Sequence, residues 1–426
     1  MSRLSYLLMG FLFLFFSGLR AQAILEGGKP NPKVDYQRLK RIDTLIQSYL
    51  DKNWETGLVV LVVKDNQLVL NKGYGYANAE LKTPMAKDEL FRIMSQTKAL
   101  ASTAIMILYD QGKLTLDEPI SHFIPEYKHM TVLDQFNPKD TSYTTVPAKR
   151  EITFRDLLTH SSGIDYAAIG SPTANALYAK AKIPSGLGSI QGNLLDKMKE
   201  LAKVPLLFQP GTQWRYGLNM DLLGCLVEVI SGQTLDAFLQ KNLTGPLGMK
   251  DTYFNVPPSK FSRLSTVYTE DSLNHIIPWS HTFRHLDPDY PMHTTHYFSG
   301  GAGMTSTAYD YAIFLQMLLN GGIYNGHRIL SPSAVHLMTH NQIDIPSGFD
   351  GKDFFGLGFG ITSPKSAARE TRNEGSFAWG GYYGTTYWVD PVAHMVCLIM
   401  TQHNPNSHSE LTKKIENLIY SSLLAN

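Results

Sequence analysis

Apolar residues return every three or four positions from Val34 to Leu50, at Leu39, Ile42, Leu45, Ile46 and Leu50. That spacing predicts an amphipathic helix. Two strand-like runs follow, Gly57 to Val63 and Gln67 to Tyr76, and the polar Lys64-Asp65-Asn66 between them signals a hairpin. Strand patterns return only near the other end, over Phe355 to Thr362, Ser376 to Gly380, Thr385 to Val389 and His394 to Thr401. Asp390-Pro391 marks the turn between the final two. A closing helix is predicted from about Ser409 to Leu424.

The middle of the chain reads differently. Ala99-Leu100-Ala101 and Ala104 to Leu108 are apolar on every side, the mark of a helix sunk in a core. Further helices are predicted at Glu151 to Leu158, Met220 to Ile230, Leu235 to Gln240 and Thr307 to Leu319. Residues about 125–150, 160–200 and 255–300 show no periodicity and read as long loops over a site. The assembly that accommodates this order is α+β: the two ends form one antiparallel sheet flanked by terminal helices, and a mostly helical domain is inserted between them. The predicted division is residues 24–90 plus 350–426 for the sheet unit and 91–349 for the helical unit with its long loops.

The first 23 residues stand apart. Arg3, the apolar stretch Leu4 to Phe16 and Ala21-Gln22-Ala23 have the layout of a cleavable secretion signal. The expected product is an exported protein, periplasmic or extracellular, beginning near Ile24, with no later segment suited to span a membrane. Loss of that segment takes the formal charge from +1 to −1. With no basic run, this balance argues against nucleic acid or an anionic membrane as partner and points to a small molecule. Cys225 and Cys397 both lie in apolar runs and read as buried thiols. Two cysteines leave no room for a cysteine-based metal site, and His293-Thr294-Thr295-His296 lies in a loop without the acid pattern of a metal site. No metal and no cofactor is predicted.

Chemistry enters at Ser95-Gln96-Thr97-Lys98. Residues at i and i+3 share a helix face, so the Lys98 amine reaches the Ser95 hydroxyl. An unprotonated amine there takes the serine's proton, and burial is what keeps a lysine unprotonated. Downstream, Tyr216 stands in Trp214-Arg215-Tyr216-Gly217-Leu218-Asn219 just ahead of a predicted helix. As phenolate it accepts a proton, and as phenol it donates one to a leaving group. Near the C-terminus, adjacent glycines in Trp379-Gly380-Gly381-Tyr382 let a substrate lie close to the backbone. His160 follows a predicted helix and reads as a terminal histidine, and Gly300-Gly301-Ala302-Gly303 as a turn.

In this order the residues resemble the serine β-lactamase and penicillin-binding-protein superfamily, and within it the class C-like branch and the family VIII carboxylesterases. Phe91 to Met94 leading into Ser95, Asp156 to Ile164, Pro210-Gly211, Ser299 to Met304 and Trp388 to Pro391 extend the likeness over nearly the whole mature chain. The resemblance implies a β-lactamase/transpeptidase-like fold, Ser95 as acyl-accepting nucleophile, Lys98 as general base and Tyr216 as proton donor to the leaving group. It also implies that Trp379, Gly380 and Gly381 border the substrate and that the amides of Ser95 and Tyr382 form an oxyanion hole, where one donor is worth about 3 kcal/mol.

The family pattern is departed from twice. The asparagine two residues beyond the tyrosine is replaced by Leu218, and the lysine of Lys-Thr-Gly by Trp379. An indole supplies no charge for a substrate carboxylate, a loss of roughly 1.5–3 kcal/mol. The expectation is therefore a serine hydrolase acting on small carboxylic esters. The alternatives are a D-amino-acid peptidase or amidase resembling the DD-carboxypeptidases, a class C-like β-lactamase, or a protein that acylates and serves as a sensor.

Overall fold

The computed structural model describes residues 23–189, 191–280, 286–349 and 351–424. The leader expected over residues 1–23 lies outside them apart from Ala23. Eight strands form one antiparallel sheet: β1 (Gly57–Lys64), β2 (Gln67–Asn78), β3 (Thr83–Pro84), β4 (Phe354–Phe355), β5 (Gly360–Ile361), β6 (Phe377–Gly380), β7 (Thr386–Asp390) and β8 (Met395–Thr401). Their order across the sheet is β4-β5-β6-β7-β8-β1-β2-β3. The two ends of the chain meet where β1 pairs with β8, Leu61 opposite Leu398.

Alternation along β1 and β8 explains why both are buried throughout. Leu58, Val60, Val62, Cys397 and Ile399 face α1 (Arg41–Asp51) and the last helix (Glu410–Ser421), packing on Ile42, Ile46, Ile415 and Ile419. Val59, Leu61, Val63, Val396, Leu398 and Met400 face the other way, into the larger core that holds α2 (Thr97–Asp110). A sheet covered on both faces needs apolar residues at every position, which is the pattern the sequence carries. Helix α2 is buried at every residue from Thr97 to Leu108, as its unstriped composition predicts. Helices α3 (Phe154–Leu158) and α4 (Asn219–Ser231) pack around it within the same core. Cys225 and Cys397 are both buried and free.

Some elements differ from expectation. The single strand predicted over Phe355 to Thr362 is two short strands, β4 and β5, folded back on each other. Gly358 makes the reversal in a left-handed conformation at φ +92°, where a Cβ would lie 2.3 Å from Ser102 Oγ. The stretches read as loops hold structure of their own: a hairpin of 131–136 with 143–147, helices at 172–180 and 194–201, and a short hairpin of 268–270 with 276–278. The hairpins and the helix at 172–180 leave no periodic signature, residues 143–147 being exposed throughout; the helix at 194–201 does carry one, with Leu194, Met198 and Leu201 buried along one face. The first helical pattern is broken at Lys40, after a short turn of helix over Tyr36–Leu39.

Candidate active site

Ser95 sits in a 3₁₀ turn, Met94–Gln96, that opens directly into α2. Met94 ahead of it has φ +46°, a left-handed conformation that costs a non-glycine residue of order 1–3 kcal/mol. Packing holds it there: Met94 is fully buried with Leu187, Tyr290, Ala302 and Tyr383. Behind the turn, Gln402 at the end of β8 accepts from the Arg92 amide (3.0 Å) and donates to the Arg92 carbonyl (3.2 Å). The sheet thereby fixes the strand that aims the serine.

Lys98 is 1% exposed. Its Nζ lies 3.2 Å from Ser95 Oγ and donates to the hydroxyl of Tyr166 (2.8 Å) and the carbonyl of Gly301 (2.7 Å). Burial lowers its pKa to about 7, against the opposing pull of the Asp221 carboxylate. At neutral pH a large share of the amine is therefore unprotonated. Two N–H groups then meet Tyr166 and Gly301, and the lone pair is left for Ser95.

Tyr216 lies in the loop before α4, and its ring sits 4.5 Å from Lys98 Nζ. Its hydroxyl accepts a hydrogen bond from Trp379 Nε1 at 3.2 Å. Burial raises its pKa, outweighing the lowering effect of Ser95, Trp379 and Tyr166. Of the two protonation states open on sequence grounds, the buried phenol is the one this environment keeps. Trp379 and Gly380 belong to β6, the strand beside the serine. Gly381 follows, and a Cβ there would fall 2.5 Å from the Ile93 carbonyl and 2.2 Å from Thr385 Oγ1. Only glycine lets this segment, and Tyr382 after it, lie so close to the chain leading into Ser95.

Ser95, Tyr216, Trp379, Gly380, Gly381 and Tyr382 all border one cavity of about 870 Å³. One wall is aromatic: Tyr216 and Trp379 have ring centroids 5.4 Å apart, and Phe349 lies 5.5 Å from Tyr216 and 5.7 Å from Trp379; Asp165, Arg215, Asp353 and Arg372 also border the cavity. Trp214 stacks on Tyr216 at 6.2 Å.

Lys98 contacts Ser95 from within the core rather than lining the cavity, and one residue expected to meet the substrate is not brought to it. Leu218 is fully buried and turned toward Gly186 and Tyr166 in the core. Asn219 is turned away too: it bonds Ser162 and donates to His160 Nδ1 at 2.9 Å. Thus Leu218 does not make the cleft apolar; Trp214, Phe349 and Trp379 do. Sequence reasoning also missed Tyr166, Asp221 and the packing of His160, whose ring lies 4.9 Å from that of Tyr216. Asp221 left a signal, as a single charge within the apolar run Met220 to Val227. Tyr166 and His160 are joined to the site only through the fold.

The profile of the Beta-lactamase family matches residues 42–419. Esterase EstB of Burkholderia gladioli is 28% identical over 85% of this chain and 89% of its own. A protein of Escherichia coli K12 with a D-alanyl-D-alanine carboxypeptidase-like name is 27% identical over 96% of this chain and 92% of its own. Among solved structures, EstCE1, a hydrolase with promiscuous acyltransferase activity, is 26% identical with a TM-score of 0.76, covering 90% of this chain and 99% of its own. Among the described residues no single helix is long and apolar enough to cross a membrane.

Proposed function

The chain belongs to the Beta-lactamase family as a serine hydrolase, and we propose from that premise that it cleaves small apolar carboxylic esters through an acyl-Ser95 intermediate. The observation that carries this reading is Trp379. Its indole occupies the strand position where the family's lactam-processing members carry a lysine, and its N–H is spent on Tyr216 rather than offered to a substrate anion. The aromatic wall of Trp214, Tyr216, Phe349 and Trp379 suits an apolar acyl or alcohol group, which gains roughly 25 cal/mol per Å² buried.

In the proposed sequence the neutral Lys98 amine takes the Ser95 proton as Oγ attacks the ester carbonyl. The tetrahedral oxyanion is received by the Ser95 and Tyr382 amides. Tyr216 gives its proton to the departing alkoxide, leaving acyl-Ser95 and free alcohol. Water then adds to the acyl carbonyl as its proton passes to the Tyr216 phenolate, and the acyl–Oγ bond breaks as protonated Lys98 returns the serine's proton to Oγ, releasing the acid.

A second reading, hydrolysis of peptides ending in D-residues, is favoured by the carboxypeptidase-like relative. Export is proposed from the leader-like first 23 residues. Turnover of p-nitrophenyl butyrate, nitrocefin and a D-Ala-D-Ala peptide by the wild type and Ser95→Ala separates these readings. The ester reading expects butyrate to react fastest and Ser95→Ala to abolish its turnover. Faster turnover of nitrocefin or the peptide, or an active Ser95→Ala, defeats it.

A further inference from the structure

Asp221 is the anomaly of the buried site. It stands in the first turn of α4, is fully buried, and is the only acid in the run Met220 to Val227. Neither carboxylate oxygen makes a hydrogen bond of good geometry, although the Ser299 hydroxyl, the Gly301 amide and the Tyr297 phenol face it and favour its charge. An isolated carboxylate in such a place costs several kcal/mol unless an opposite charge answers it.

The group able to carry the answering charge, when protonated, stands across one glycine. Lys98 Nζ donates to the Gly301 carbonyl at 2.7 Å. On the α4 side of the same residue, a Cβ would sit 2.9 Å from Asp221 Oδ2 and 3.3 Å from the Tyr166 hydroxyl. Gly300 is pressed as closely on the same turn, its Cβ position 2.3 Å from the Met220 carbonyl. The Gly300-Gly301 segment is thus a thin spacer between amine and carboxylate.

We propose that Asp221 is a positioning residue that acts on Lys98 across this spacer, as the counter-charge deciding how readily the amine holds its proton. The inference rests on the reading of Lys98 as the base for Ser95. The other titratable groups facing the pair are Tyr166, Tyr216, Tyr297 and His160. Burial keeps the three phenols protonated and the imidazole neutral. Asp221 is therefore the acid whose charge Lys98 feels, and Lys98 in turn draws the Asp221 carboxyl down against the burial that raises it. Without Asp221 the amine would lose its proton more easily still. With it, Lys98 is poised to take a proton from Ser95 and hold it until the leaving group departs.

The test is the pH dependence of two rates, ester hydrolysis and covalent labelling by a fluorophosphonate, in wild type, Asp221→Asn and Asp221→Glu. Both rates should rise as Lys98 deprotonates, giving an acid limb. A carboxylate beside an amine raises the amine's pKa, so Asp221→Asn should move the limb to lower pH by about one unit. Asp221→Glu, which keeps the charge, should leave it nearer the wild-type position. A purely structural Asp221 would instead lower the melting temperature, or depress the rates equally at every pH, with the limb unmoved. An unmoved limb, or one displaced upward, overturns the proposal. If Asp221→Asn does not fold, Asp221→Ser removes the same charge with less volume and is read the same way. Labelling that persists in Ser95→Ala, or a wild type with no acid limb, would overturn the underlying base assignment instead.

Discussion

Replacing Tyr216 with phenylalanine separates its two structural roles. The ring contacts with His160 (4.9 Å), Tyr166 (5.3 Å) and Trp379 (5.4 Å) remain, so the wall of the cavity stays in place. What is lost is one hydroxyl, and with it the hydrogen bond from Trp379 Nε1 and, in the proposed mechanism, the proton for the leaving group. The hydrogen bond contributes about 0.5–1.5 kcal/mol, or roughly 2- to 12-fold, and should affect every substrate alike. The proton transfer is worth about 10²–10⁴-fold, but only where the leaving group requires it. An alkoxide leaves poorly without a proton, whereas a nitrophenolate leaves freely at neutral pH. For Tyr216→Phe, kcat/KM on ethyl butyrate should therefore fall by about 10²–10⁴-fold and on p-nitrophenyl butyrate by no more than about 12-fold. A pH-stat for the first ester and absorbance for the second measure both, and kcat/KM confines the comparison to acylation. Equal losses of more than 100-fold on both esters would place Tyr216 in the attack on the carbonyl rather than in departure of the alcohol. No loss on either would remove it from the chemistry.

Two further changes probe the frame around the site. Gly381→Ala puts a methyl group against the Ile93 carbonyl and Thr385, so the Tyr382 segment must move away from Ser95. We expect kcat/KM to drop about 10²–10³-fold, the cost of one misplaced oxyanion donor, and activity within threefold of wild type would contradict the close approach. Glu89, buried and with Oε2 unpartnered, has its carboxyl raised to about 7 by burial. The folded state therefore binds this proton more tightly than the unfolded chain, and the stability it contributes is present in acid and lost as pH rises toward 7. Glu89→Gln should melt above wild type near pH 8 and alongside it near pH 4, and a uniform offset at both would refute the assignment.

The sheet and its two helical layers were legible because they are written in local periodicity. Both faces of β1 and β8 are buried, and both strands are apolar at nearly every position. The pairing of Ser95 with Lys98 was legible for the same reason, since Lys98 stands one turn beyond Ser95 in the buried helix that the Ser95 turn opens into. What stayed hidden is what only the fold assembles. Tyr166 reaches Lys98 across 68 residues of chain, and Gly301 across 203. Leu218 shows the opposite error, where a motif position was given a direction that the local backbone does not take. Tyr216 faces the cleft from a loop, and two residues later α4 is beginning, so Leu218 turns inward beneath it and Asn219 bonds the Ser162 loop. The leucine substitution is therefore silent at the cavity surface. The case for an apolar substrate stands on the indole of Trp379 and the aromatic side chains grouped with it, and any charge-restoring substitution meant to recover anion recognition has to be made there.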